Sequence, residues 1–334
     1  MTIRERQERD EEARLSPYAA LSSRSAGRAH PISTCDLRTC YQRDHDRIIH
    51  CKSFRRLKYK TQVFLTPMGD HYRTRLTHTL EVSQVARTLA RSLRLNEDLT
   101  EAAALGHDLG HTPFGHIGES TLNRLLPGGF RHNEQSLRVA ERLENDGQGL
   151  NLCRETLDGI LNHSGQNEPK TLEGWCVRRA DRIAYINHDI DDAIRGGILK
   201  PFELPRRCLS VLGETHGERI DTMIRDIVTT SMDQPFVRMS EEVRQASEEL
   251  RAFLFEYVYH DEWRKKEEAR CDYILSALYE HYLAHPEQLP AEYLEINFTE
   301  GAERAVCDFI ACMTDRYAID QFSEIFVPGA FGRR

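Results

Sequence analysis

Apolar residues recur at helical spacing through most of this chain, and this pattern constrains the fold more than any other feature. In residues 74–95 they fall at Leu76, Leu80, Val82, Val85, Ala86, Leu89 and Leu93, which fits a helical period better than strict alternation. Similar patterns predict further helices at 96–109, 117–126, 132–145, 151–163, 172–195, 241–258, 261–283 and 302–317. Short strands are considered only near Val63 and at 295–298. The sequence therefore predicts an all-α fold without internal repeats.

Four side chains that can bind a metal ion lie far apart in the sequence. His78 is near the start of the first of these helices, His107 and Asp108 are in the last turn of the next, and Asp181 is within 172–195. Two imidazoles and two carboxylates suit a borderline or hard divalent ion, namely Mn, Mg, Fe, Co, Ni or Zn. Helices that pack together can bring such ligands into one core. We therefore predict a metal site in the helical core and favour hydrolysis as its chemistry.

Further polar residues follow the His107-Asp108 pair. His116 and Glu119 lie three positions apart on one face if a helix resumes near residue 115, which makes a proton-transfer pair feasible. The alternative is that both residues only stabilise the start of that helix. His111 is placed close enough to the metal pair to contact a phosphate.

A polar stripe continues from the last predicted metal ligand. Asp181, Tyr185 and Asp189 are spaced by four and four, so they lie on one face of a single helix. This face therefore connects the predicted metal site with the part of a ligand that Tyr185 and Asp189 would contact.

Several longer strings resemble a known family. They are RDHDRIIH at 43–50, FRRL at 54–57, TQVF at 61–64, HDLGHTPFGHIGE at 107–119 and FRHNEQ at 130–135. Together with the order of the metal-binding residues they resemble the HD superfamily of metal-dependent phosphohydrolases, and within it the bacterial dGTPase-like deoxynucleoside triphosphate triphosphohydrolases. The resemblance implies one all-helical HD domain over 1–334, with a metal-bearing core at about 22–195 and a C-terminal helical part at about 205–334.

The same resemblance implies a reaction and roles for individual residues. The reaction is hydrolysis of a deoxynucleoside triphosphate (dNTP), with dGTP as the default, by attack of water on the α-phosphorus, which gives a deoxynucleoside and inorganic triphosphate. The implied roles are water activation and proton transfer for His116 and Glu119, an acid or phosphate contact for His132 and His111, 3′-hydroxyl contacts for Gln62 and Asp189, exclusion of a 2′-hydroxyl for Tyr185, and triphosphate contacts for Arg75 and Arg182. Without the resemblance, both arginines would be interpreted as solvent-exposed helix charges.

Composition limits the partners and the compartment. A net charge of -8 argues against a protein held to nucleic acid by its overall charge, so a polyphosphate substrate requires a local positive field. The nine cysteines form no CxxC pair and are expected to be reduced thiols. The charged segment 1–14 has no apolar core of a signal peptide, and no segment approaches the roughly 18 apolar residues of a membrane helix. We expect a cytoplasmic protein without membrane contact.

Other functions stay open on the sequence alone. An HD-type 5′-nucleotidase or phosphodiesterase would use the same four metal ligands. A non-catalytic protein that senses nucleotides or binds single-stranded DNA could retain the fold without turnover. The resemblance implies a homo-oligomer, either a tetramer or a hexamer, and leaves open whether dNTPs also act as allosteric activators.

Overall fold

The computed structural model describes residues 1–62, 73–258 and 262–328, and these residues form helices without a β-sheet. The α-helices, numbered in chain order, are α1 (Ile3–Arg14), α2 (Cys40–Ile49), α3 (Lys52–Arg56), α4 (Arg75–Ser92), α5 (Glu97–Gly106), α6 (His116–Leu125), α7 (His132–Arg138), α8 (Arg154–Asn162), α9 (Leu172–Arg195), α10 (Arg206–Leu212), α11 (His216–Ser231), α12 (Glu241–Tyr257), α13 (Glu262–Ala284), α14 (Ala291–Glu300), α15 (Ala302–Cys312) and α16 (Asp315–Phe326). Within the described ranges, none of these helices has the length and apolar character needed to cross a membrane. The prediction of an all-α fold is confirmed.

Polar side chains set the start of the helices that lead to the predicted metal ligands. The side chains of Thr74, Asn96 and Thr171 each accept a hydrogen bond from the backbone N–H three residues further on, at the start of α4, α5 and α9. Such caps satisfy backbone donors that have no partner within the helix.

Helix α5 ends at Gly106, before the predicted end at 109, so His107 and Asp108 lie in the turn that follows it. The backbone N–H of Gly110 donates to the hydroxyl of Ser136 at 2.9 Å. A Cβ at Gly110 would stand 2.2 Å from the backbone nitrogen of Ser136. The chain therefore needs glycine here because α7 approaches this turn closely.

Two predictions in the C-terminal part are wrong. Residues 295–298 are considered as a short strand on the sequence alone, but they lie within α14. The helix predicted at 302–317 is interrupted, since Met313 is extended and the side chain of Thr314 caps α16. The other predicted strand, near Val63, lies outside the described residues.

The largest cluster of buried apolar side chains contains residues from both sides of the break at 196–205. It joins Leu89 of α4 and Ile183 of α9 to Leu212 of α10 and Leu250 of α12. Burial of this apolar surface holds together the two long helices that carry predicted ligands. It also supports the interpretation as a single domain, which stays a prediction.

Two further clusters complete the core. One packs α6 against the C-terminal helices, with Leu122 and Ile310 both fully buried. The other packs α2 against α8, through Ile48 and Ile160. The turn after α5 thus has packed helices around it.

Leu89→Ala is expected to lower the free energy of unfolding by about 2–5 kcal/mol, because it removes a fully buried side chain between α4 and α9. Leu80→Ala in the same helix is the matched control, since Leu80 is 50% exposed, and it should cost less than about 1 kcal/mol. Urea unfolding followed by circular dichroism measures both. Equal losses in the two variants would contradict this assignment of the core.

Candidate active site

The four predicted metal ligands come together between α4, α9 and the turn after α5. His78 Nε2 lies 3.1 Å from Asp181 Oδ1, and His107 Nε2 lies 3.9 Å from the same oxygen. Asp108 Oδ2 is 3.4 Å from His107 Nε2. Nitrogen and oxygen ligands about 2 Å from an ion lie about 3–4 Å from one another. The ligand atoms of His78, His107 and Asp108 lie within 4.8 Å of one another and could hold one metal ion, and Asp181 lies beside two of them.

The orientation of His107 fits a metal ligand. Its Nδ1 lies 2.6 Å from the carbonyl oxygen of Ala104 and donates to it, which leaves Nε2 as the nitrogen that can bind a metal. This Nε2 is buried and has no hydrogen-bond partner within the part of the chain that the structure describes. A buried acceptor without a partner is costly. A bound cation would satisfy it, so the donor set fits a divalent metal ion.

The other ring nitrogen of His78 faces His188, a residue that sequence reasoning missed. The two Nδ1 atoms are 3.5 Å apart, and His188 Nε2 is 3.3 Å from a carboxylate oxygen of Glu81. Burial, together with the positive charges of His78 and Arg73, lowers the pKa of His188 to about 2, so its ring is neutral. His78 Nδ1 can then donate to His188, which leaves Nε2 for a metal. The signal was available, because His188 lies seven residues after Asp181 on the same helix face.

Arg75 forms a buried ion pair with Asp108. Its Nη1 lies 2.8 Å from Asp108 Oδ2, and its Nε and Nη2 donate to the carbonyl oxygens of Thr61 and Gln62. Burial raises the pKa of Asp108, but the charges of His107 and Arg75 outweigh burial and hold this pKa well below its usual value. Arg75 is only 4% exposed, so its interpretation as a solvent-exposed helix charge is wrong.

Glu119 pairs more closely with His132 than with His116. Its Oε1 lies 2.9 Å from His132 Nδ1, whereas the His116 ring approaches only to 3.7 Å. His132 Nε2 is 3.2 Å from His163 Nε2, and His163 Nδ1 donates to the carbonyl oxygen of Ile160. His163 Nε2 must therefore accept, which makes both nitrogens of His132 donors. The close pair is Glu119 with His132, and His163 is a member that sequence reasoning missed.

The electrostatics agree with this arrangement of protons. Burial and the charges of His107 and His132 lower the pKa of His163 to about 3, so this ring is neutral. Burial alone would lower the pKa of His132, but the hydrogen bond and charge of Glu119 raise it above its ordinary value. Burial alone would raise the pKa of Glu119, but the nearby imidazole of His116 and the hydrogen bond with His132 hold this pKa far below its ordinary value. The hydrogen bonds and these pKa shifts favour an anionic Glu119, a protonated His132 and a neutral His163.

His111 lies between the metal ligands and the hydrogen-bonded series of Glu119, His132 and His163. Its ring stacks on His132 with 5.1 Å between centroids and meets the edge of His116 at 5.8 Å. Its Nε2 is buried without a hydrogen-bond partner in the described ranges. This nitrogen is available to a ligand.

The site opens onto a cavity of about 660 Å³. The predicted residues that line it are Gln62, Arg75, His78, Asp108, His111, His116, His132, Asp181, Arg182 and Tyr185, and the lining residues that sequence reasoning missed are His163, Ser164, Gly165, Arg178, Arg251 and Phe255. Asp189 is buried further along α9 and does not line the cavity. Arg251 and Phe255 belong to α12, so the C-terminal part supplies a wall of the site.

Comparison with known families agrees with this geometry. An HD domain model matches residues 75–186, which include all four converging ligands, and a phosphohydrolase-associated domain model matches residues 237–324, which include Arg251 and Phe255. A helical HD domain with a His and Asp cluster that can hold a metal defines the class: this protein is a metal-binding HD-domain hydrolase.

More specifically, the chain belongs to the family of deoxyguanosinetriphosphate triphosphohydrolase-like proteins. It is 58% identical over 328 residues to the protein of that name from Caldanaerobacter subterraneus subsp. tengcongensis, with 98% of this chain and 97% of the relative covered. It is 51% identical over 337 residues to one from Clostridium perfringens, with 98% of each chain covered. It is 42% identical over 371 residues to one from Geobacter sulfurreducens, with 95% of this chain and 96% of the relative covered. The family prediction from the sequence is confirmed.

Asp181→Ala is expected to abolish stoichiometric metal binding, because Asp181 supplies one of four donors and lies next to two of the others. His116→Ala is the matched comparison: its side chain is 62% exposed at the cavity, and the variant should retain its metal. Metal content per chain after dialysis against Mn²⁺, measured by plasma mass spectrometry, separates the two. A folded Asp181→Ala protein with full metal content would contradict this ligand set.

Proposed function

We propose that this enzyme hydrolyses dNTPs, with dGTP as the reference substrate, to a deoxynucleoside and inorganic triphosphate. The observation that carries the proposal is the cluster of His78, His107 and Asp108, with Asp181 3.1 Å from His78, beside a cavity that also presents arginines and a tyrosine. A cavity of about 660 Å³ lies in the size range of sites for small ligands and cofactors. The names of the relatives support the same substrate class.

His78, His107, Asp108 and Asp181 would hold one divalent ion, which is Mn, Mg, Fe, Co, Ni or Zn. Such an ion, when bound, lowers the pKa of water and neutralises charge on a phosphoryl oxygen. The remaining steps are assigned to the side chains of this protein.

Arg182 and Arg251 are proposed to contact the triphosphate. Both line the cavity, and neither forms an ion pair with a carboxylate in the described part of the chain. A guanidinium can hold two phosphate oxygens at once. Arg75 has a different role, because its guanidinium is occupied by Asp108 and it acts by orienting that carboxylate.

His132 is the proposed proton donor to the leaving group. In the reaction the oxygen of water forms a bond to the α-phosphorus, and the bond from that phosphorus to the 5′-oxygen breaks. The departing oxygen takes a proton from His132, whose protonated form is stabilised by Glu119. His116 lies at the exposed end of the cluster that contains Glu119 and His132. We assign to it the proton of the attacking water.

Tyr185 and Gln62 are proposed to select the sugar. Tyr185 lines the cavity one turn after Asp181, where its ring would crowd a 2′-hydroxyl. The side-chain oxygen of Gln62 is buried without a partner in the described residues, so it can accept from a 3′-hydroxyl. Asp189 does not line the cavity, so any effect it has on the 3′-hydroxyl would act through neighbouring residues.

Incubation with dGTP and Mn²⁺ in ¹⁸O-labelled water is expected to give unlabelled deoxyguanosine and triphosphate with one labelled oxygen, because water attacks phosphorus. Chromatography with mass spectrometry resolves the products. Label in deoxyguanosine would exclude attack at phosphorus, and dGMP with pyrophosphate or dGDP with phosphate would exclude the α position. Repeating the assay with the four dNTPs, singly and mixed, tests base choice and activation.

Tyr185→Ala is expected to reduce the preference for dGTP over GTP, measured as the ratio of kcat/KM values, by about tenfold. The reason is that the variant opens space where a 2′-hydroxyl would project. Tyr185→Phe keeps the ring and should keep the preference. An unchanged ratio in the alanine variant would count against steric selection by this residue.

A further inference from the structure

A second cavity, of about 450 Å³, adjoins the candidate active site. The two cavities share Arg182 and Arg251 in their walls. The second one extends away from the metal ligands, between α9, the end of α11 and the start of α12. Apart from these two shared arginines, the proposed reaction uses none of the residues that line it.

The lining of this second cavity carries excess positive charge. It contains five arginines and two glutamates. Both glutamates are paired with the same arginine: Arg244 lies 2.6 Å from Glu241 and 2.7 Å from Glu248. The other four arginines, at positions 179, 182, 238 and 251, form no ion pair with a carboxylate in the described ranges. Unpaired guanidinium groups around one space attract a multiply charged anion.

Arg179 and Arg182 are half-buried, whereas Arg238 and Arg251 are exposed. Arg179 donates from Nε to the carbonyl oxygen of Val237 at 3.2 Å, and its guanidinium lies over the ring of Trp175. Burial and the charges of Arg182 and Arg178 lower the pKa of Arg179 to about 10. The protein thus holds like charges together in a partly dry place, and a bound anion would relieve that repulsion.

Neutral donors point to the same kind of ligand. Ser247 is 2% exposed, lines the second cavity, and has a hydroxyl without a hydrogen-bond partner among the described residues. The cavity also contains Ser240 and Glu241, where the 17-residue helix α12 begins, so the positive end of a helix dipole lies at the wall. A buried hydroxyl without a partner is an independent sign that a polar ligand completes the site.

We propose that this second cavity binds a linear polyphosphate group. Positive groups extend along the cavity from the wall shared with the active site to the start of α12, which matches an extended anion better than a single phosphate. The anion could be inorganic triphosphate leaving the active site or the triphosphate of a second nucleotide. Only the assignment of the anion as inorganic triphosphate from the active site rests on the proposed function.

The test is a calorimetric titration of the full-length protein with sodium tripolyphosphate. The Asp181→Ala background removes a donor of the metal centre and prevents turnover. In this background, Arg238→Gln is expected to weaken binding about tenfold or more, because Arg238 lines only the second cavity and a charge-assisted contact is lost. Ser247→Ala should weaken binding severalfold without any change in charge. Arg225→Gln is the matched control, since Arg225 is an exposed α11 arginine paired with Asp221, and it should leave the affinity unchanged.

The possible outcomes separate the alternatives. Binding of tripolyphosphate that neither Arg238→Gln nor Ser247→Ala weakens would overturn the proposal, as would an absence of binding at low salt. If dGTP binds more than tenfold tighter than tripolyphosphate with the same dependence on Arg238, the site is supported and its occupant is a second nucleotide. If tripolyphosphate binds at least as tightly as dGTP, the occupant is the product, inorganic triphosphate. Because no step is a turnover measurement, failure of the proposed hydrolysis would leave this result unaffected.

Discussion

The buried pairing of Arg75 with Asp108 is the interaction on which the candidate active site depends. A carboxylate without a partner in this position would cost several kcal/mol. Arg75 lies one turn before His78 in α4, so the same ion pair also fixes the first turn of that helix against the turn after α5. Its remaining donors hold the carbonyl oxygens of Thr61 and Gln62. One guanidinium therefore orients a candidate metal ligand and positions a segment of the cavity wall.

The C-terminal helices also hold the segment at Thr61 and the turn after α5. The carboxylate of Asp315 accepts hydrogen bonds from the backbone N–H groups of Thr61 and Phe114, both at 2.9 Å. Lys60 is buried and donates from Nζ to the carbonyl oxygens of His111 and Ala311, and burial lowers its pKa to about 8. These contacts connect the loops around the active site to α15 and α16, which lie outside the range matched by the HD domain. An HD segment cut out at 75–186 would lose these supports as well as the wall that α12 provides.

The sequence predicted most of the helices, because helical periodicity is a local pattern. The four proposed metal ligands were singled out by their order in the family resemblance, and the structure brings them near one another. Helical periodicity identified α4, α5 and α9, and the spacing of Asp181 and Tyr185 predicted their shared face correctly. Reasoning from the sequence could not show that Glu119 turns toward His132, since that depends on how α7 packs against α6. It also missed Arg251, because an arginine on an amphipathic helix has no local feature that distinguishes a cavity wall from a solvent-exposed face.

The distribution of charge explains how an acidic protein can attract a polyphosphate. The chain carries a net charge of -8, so its average field repels such a ligand at long range. Near the cavities positive side chains outnumber negative ones. Arg182 and Arg251 lie in the shared wall without a partner carboxylate in the described residues. Arg179 and Arg238 line the second cavity beyond them. Salt screens exposed charges beyond about 10 Å at 0.1 M, which suppresses the overall repulsion more than contacts made inside a cavity. The carboxylate-rich surface disfavours non-specific binding of anions, so these cavities would be the favourable place for the proposed triphosphate, with the candidate metal site at one end of them.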